Sequence, residues 1–105
     1  MQIEKIDKFR ALVARDPSDE LARFTLARAL FDAGRFADAR AEFTIVIDQK
    51  PDWMLARILL GRAAMELGDK DAARAALVAA RALAVEQNHT EPQLEIDELL
   101  LELDA

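Results

Sequence analysis

The chain has 105 residues, enough for one small domain and too few for a second with its own active site. Its 52% hydrophobic and 32% charged residues can fill a core and keep a polar surface, which excludes disorder. Fourteen lysines and arginines stand against 20 acidic residues, and the net charge of −6 repels nucleic acid.

Cysteine is absent, so the sequence supplies no disulfide, thiol nucleophile or thiolate ligand and fits a reducing compartment. Glycine and proline number only three each, while alanine, leucine, arginine and glutamate recur, so the expected fold class is all-α.

The first seven residues mix charges among Ile3 and Ile6 and lack the apolar run of a secretory signal. No stretch nears the roughly 20 apolar residues that cross a bilayer. The expectation is a cytoplasmic protein with no membrane partner. Ile6, Phe9, Leu12 and Val13 form a helical stripe over residues 1–16, stopped by Pro17.

From there the chain repeats. Pro17 and Pro51 are 34 residues apart, as are Gly34 and Gly68. The same step carries Leu21 to Leu55, Leu26 to Leu60, Ala27 to Gly61, Arg28 to Arg62, Asp32 to Glu66, Ala39 to Ala73 and Phe43 to Leu77. Each unit, 18–51 and 52–87, reads as two helices. Ser18 and Asp52 are expected to cap the first helix of each, and Gly34 and Gly68 to end it. Second helices are expected over 36–49 and 70–87, the latter capped by Asp69. Shifted by 34, Phe9 falls on Phe43 and Val13 on Ile47, so the N-terminal helix matches the second half of a unit. Thr90-Glu91-Pro92-Gln93 has capping-box spacing and opens a last helix within 90–104. Six antiparallel helices in a single domain are predicted.

The pattern resembles the tetratricopeptide repeat family: Leu26-Ala27 and Leu60-Gly61 match its Leu-small pair, Ala39 with Phe43 its second-helix pair, and Pro51 its closing proline. The departures are Arg23 and Arg57 where the family favours Trp, Leu30 and Ala64 where it favours Tyr, Leu77 for an aromatic, and Val85 for Pro. The resemblance implies a helical solenoid whose first helices line a concave groove for a protein or peptide partner. Leu21, Phe24, Arg28, Phe31, Asp32, Leu55, Ile58, Arg62, Met65 and Glu66 are then the groove residues. Arg28 and Arg62 each offer a fork of donors to a ligand carboxylate. The alternative for both is an i, i+4 ion pair, with Asp32 and Glu66. Chaperone-binding members clamp a C-terminal carboxylate with Lys and Asn, but neither first helix here carries Lys and the only Asn is Asn88.

No catalytic site is read. His89, the only histidine, lies in a polar turn without a second ligand, and Ser18, the only serine, has no base nearby in the pattern. The three scattered glycines form no phosphate-binding loop, and the acidic residues lack calcium-loop spacing, so neither cofactor nor metal is expected. The expected function is a non-enzymatic adaptor. In the last helix Ile96, Leu99, Leu100 and Leu103 form a docking stripe, whereas Leu94 and Leu101 project from the opposite side. That second face predicts a homodimer through the helix, or coverage of the protein's own groove.

Overall fold

A computed structural model describes residues 2–105. Six helices follow in order: α1 (Gln2–Arg15), α2 (Glu20–Asp32), α3 (Phe36–Gln49), α4 (Met54–Glu66), α5 (Lys70–Glu86) and α6 (Thr90–Asp104). Each packs on the next, and α2 also touches α4. The second helix of each unit therefore lies behind the row formed by the first helices.

The turns explain the boundaries. Gly34 and Gly68 adopt φ of 78° and 76°, the left-handed conformation that closes α2 and α4. In each case the next residue reaches back across the turn: the Arg35 amide donates to the Leu30 carbonyl and the Asp69 amide to Ala64, both at 2.9 Å. After α5 the same geometry falls on Asn88 (φ 57°), with His89 donating to Ala84 at 2.9 Å. Asparagine tolerates this conformation better than most side chains, so a helix end without glycine is accommodated.

Three expected caps differ. The cap of α2 is Asp19, whose Oδ1 accepts from the Ala22 amide at 3.0 Å; Ser18 instead donates its hydroxyl to Asp16 at 2.6 Å. Pro17 is followed by one more turn residue than the spacing suggested, which moves the cap along by one. Trp53 rather than Asp52 precedes α4 and makes no side-chain cap. Thr90 lies inside α6, so the capping box does not form and His89 occupies the cap position without a side-chain bond. Asp69 caps α5 as expected, accepting from Ala72 at 3.2 Å.

Small residues set how near paired helices come. Ala27, Ala39 and Ala73 are fully buried. At Gly61 a Cβ would fall 2.8 Å from Leu77 Cγ and 2.9 Å from its Cδ2, inside contact distance. The corresponding residues of the first unit are Ala27 and Phe43: one unit joins a methyl to a flat ring, and the other joins no side chain to a branched one.

Arg23 and Arg57, the departures from the family's tryptophan, solve their position differently. Arg23 is only 9% exposed; its Nη1 pairs with Glu42 of α3 at 2.8 Å and its Nη2 donates to the Pro17 carbonyl at 3.2 Å. Its buried Nε has no hydrogen-bond partner among the described residues. Arg57 donates to the Pro51 carbonyl at 2.8 Å, but the residue 34 beyond Glu42 is Ala76, and no carboxylate among the described residues pairs with it. Each arginine thus ties its helix to the proline turn before it.

Glu42→Ala strands the Arg23 charge in the core and should cost about 3 kcal/mol in urea denaturation, whereas Arg35→Ala, which removes an exposed pair, should stay within about 0.5 kcal/mol. Gly61→Ala would ordinarily gain about 1 kcal/mol in a helix, but Leu77 is fully buried and cannot swing away. Net destabilisation of about 1 kcal/mol is expected in the same assay.

Candidate functional site: the concave face

Six residues of each first helix are buried in the core, and the others form the candidate partner-facing surface. At its near end Leu21 and Leu55, one repeat apart, are 66% and 43% exposed. Both occupy the second position of their helices, ahead of the residues that α3 and α5 cover.

Beside Leu21 the half-buried Phe24 is held on two sides. It meets Phe43 edge-on at 5.9 Å and stacks on Trp53 at 4.4 Å with the rings 15° apart. Lys50 Nζ lies 5.7 Å from the Trp53 ring. Ser18, Asp19, Glu20, Leu21, Lys50 and Trp53 line a polar hollow of about 440 Å³ here.

In the middle, Arg28 pairs loosely with Asp32 at 3.6 Å, one of the two i, i+4 pairs the spacing allows. The other does not form. Arg62 instead lies over the Phe31 ring of the preceding unit, 5.3 Å from its centroid, and Phe31 meets Phe36 edge-on at 5.2 Å. A cation on an exposed aromatic face contributes about 0.5–1 kcal/mol, at least as much as the exposed ion pair it replaces. Arg62 makes no ion pair among the described residues. With Met65, Glu66, Leu99 and Glu102 it lines a hollow of about 220 Å³ between α4 and α6.

One expected groove residue is not there. Ile58 is 3% exposed and belongs to the core cluster that includes Leu77 and Ile96. The phenyl ring of Phe24 is long enough to leave the core layer and stack on Trp53; the short branched isoleucine ends inside it. Met65 and Phe31 are half-buried, and Asp32, Arg28, Arg62 and Glu66 are exposed. Conversely, the repeat comparison missed Trp53, Lys50, Leu99 and Glu102. Trp53 falls on Asp19 when shifted by 34, so periodicity could not mark it; being the chain's single tryptophan, beside a helix start, was its one sign.

α6 packs on α5 through the buried Ile96 and Leu103 and is tied there by Arg81–Asp97 and Arg74–Asp104, each 2.6 Å. It continues the row of first helices as a third wall. Leu94 and Leu101 point away from that packing, 58% and 70% exposed.

His89 is exposed, and among the described residues no group of three or more His, Asp or Glu is arranged to hold a metal ion. No helix there is long and apolar enough to cross a membrane.

The tetratricopeptide repeat model matches residues 6–52 and 24–85, and the chain belongs to that family. A relative, the tetratricopeptide repeat and J domain-containing co-chaperone DNJ1 of Fusarium oxysporum, is 36% identical over 72 residues, which cover 69% of this chain. The matched region spans only 14% of that relative. Among solved structures, the Yersinia enterocolitica type III secretion translocator chaperone SycD superposes with a TM-score of 0.92 at 14% identity, over 98% of this chain and 72% of its own. The TPR2B domain of yeast Sti1, solved in a pHsp70 complex, gives 0.85 at 25% identity, over 94% and 79%.

Neighbouring substitutions should separate surface from core. Leu55→Asp leaves the thermal midpoint nearly unchanged, whereas Ile58→Asp buries an unpaired carboxylate and costs about 4 kcal/mol or more, enough to unfold a domain this small. Circular dichroism melts of the two variants provide the check.

Proposed function

We propose that the domain is a protein-interaction module that binds an extended or helical peptide along the concave face, with apolar anchors at Leu21 and Leu55 and an acidic ligand group at Arg62. The observation that carries this reading is the pair of exposed leucines at equivalent positions of two first helices, in line with an arginine that has no carboxylate partner among the described residues. Isolated surface leucines are ordinary; here two stand in repeat register, and Leu21 shares a hollow with Trp53, the ring on which Phe24 stacks.

The repeat spacing suits such a ligand. Anchors one unit apart read side chains at a fixed interval, and Arg62, already aligned by Phe31, loses little freedom on pairing. Two relatives support a binding role: Sti1 TPR2B is solved with pHsp70, and SycD is a translocator chaperone. The ligand chemistry is this chain's own, since α2 and α4 contain no lysine and no asparagine.

A random peptide library panned on the purified domain should enrich peptides with spaced apolar residues and at least one Asp or Glu. Leu21→Asp with Leu55→Asp should weaken the selected peptides by about tenfold or more while preserving the fold. Arg62→Ala should weaken them less and flatten the salt dependence, because a screened attraction is removed. Amide shifts on peptide addition should fall on α2, α4 and α6. A shift map confined to α3 and α5 overturns the reading.

A further inference from the structure

The two ends of the helix stack complement each other. α5 has 17 residues against 14 for α3 and the turn after it is one residue shorter, so α6 starts 36 residues after α4, where α4 starts 34 after α2. Leu59 lies in the core cluster with Phe43 and Val46 of α3, and Ile96, 37 residues further on, in the cluster with Leu77 and Ala80 of α5, so the positions turned to the preceding second helix are 37 apart. The same step carries Arg57, Gly61 and Ala64 to Leu94, Glu98 and Leu101. Gly61 is the residue of α4 turned toward α5, where Leu77 and Ala73 crowd it. Leu94, Glu98 and Leu101 therefore form the face on which α6 would receive a second helix, and all three are exposed.

α1 shows the converse. Lys5, Lys8 and Leu12 lie 34 before Ala39, Glu42 and Val46, and Glu42 is the residue by which α3 grips α2. α1 packs on α2 through Ile6 and Val13, leaving Lys5 and Lys8 exposed and Leu12 half-buried on the flank where a first helix would lie.

We propose that copies of this chain associate head to tail, α1 of one docking on α6 of the next so that the two complete a repeat unit. The occupant is identified by charge. α6 has six carboxylates and no basic residue; Arg81 and Arg74 engage Asp97 and Asp104, and the four glutamates form no ion pair among the described residues. α1 carries Lys5, Lys8, Arg10 and Arg15 against Glu4 and Asp7. Ala73, which crowds Gly61, lies two repeat steps after Lys5, so the contact that is Gly61 on Ala73 inside the chain becomes Glu98 on Lys5 between copies. Leu94 and Leu101 cover Leu12 and the lysine stems. A symmetric dimer through α6 would instead bring Glu98 of both copies together, with no cation on either helix. Because the two faces differ, the contact is heterologous and propagates. It leaves the concave residues free and does not depend on their role.

Sedimentation velocity on the 105-residue chain and two variants tests this. The intact chain should show a mass that rises with concentration, the association weakening about tenfold or more between low salt and ~0.5 M salt. Lys5→Glu with Lys8→Glu disables one face, and Leu94→Asp with Leu101→Asp the other; every substituted side chain is exposed, and circular dichroism verifies folding. Each variant alone should be monomeric, and their mixture should form a 1:1 heterodimer that grows no further, because each supplies the face the other lacks. An intact chain that stays monomeric up to about 1 mM at low salt, far above the range of specific contacts, overturns the proposal. So does a lysine variant that still self-associates, which would assign the contact to α6 pairing with itself.

Discussion

The close approach of the two helices in each unit is the constraint on which the rest of the structure depends. Ala27 or Gly61 on the first helix and Ala39 or Ala73 on the second leave almost no side chain between the backbones, and the large groups, Phe43 or Leu77, fill the space beside them. A helix held this tightly on one side has one orientation about its axis. That orientation decides which of its remaining residues reach the surface, so the exposure of Leu21, Leu55 and Arg62 is a consequence of packing elsewhere on the helix.

The same constraint explains how the chain tolerates arginine where its family favours tryptophan. The volume beside the small residues must be filled, and the Arg23 stem does so while its head is satisfied by Glu42 and the Pro17 carbonyl. Such a pair contributes little net stability compared with an apolar side chain of similar size, but it fixes the pairing of α2 with α3, because a guanidinium buried anywhere else would be left unpaired. Where the carboxylate is missing, at Ala76, Arg57 turns to a backbone carbonyl and stays partly in water.

Length differences between units act at the ends of the stack. Three added residues in α5 rotate α6 out of the 34-residue register, so that Ile96 rather than its neighbours enters the core and the leucines at 94 and 101 turn outward. A nearest-neighbour architecture tolerates this change because α6 packs chiefly on α5 and borders the rim of α4. The result is a molecule with an acidic last helix and a basic first one, although its total charge is −6.

The sequence by itself determined the helices, their order and the two-helix unit, because breakers, small residues and apolar stripes recur at a fixed step and each acts through its immediate neighbours. It also marked Leu21, Leu55, Arg28 and Arg62 as equivalent pairs. It could not distinguish Phe24 from Ile58, which share a repeat position: whether a side chain clears the core depends on its length against the local thickness of packing, and on Trp53 arriving from another unit. Nor could it choose the partner of Arg62. Glu66 is four residues away along the helix and Phe31 is distant in sequence, and only the tertiary structure, by setting α4 beside α2, placed the ring under the guanidinium. Local patterns fix elements; contacts between elements depend on distances that no single segment encodes.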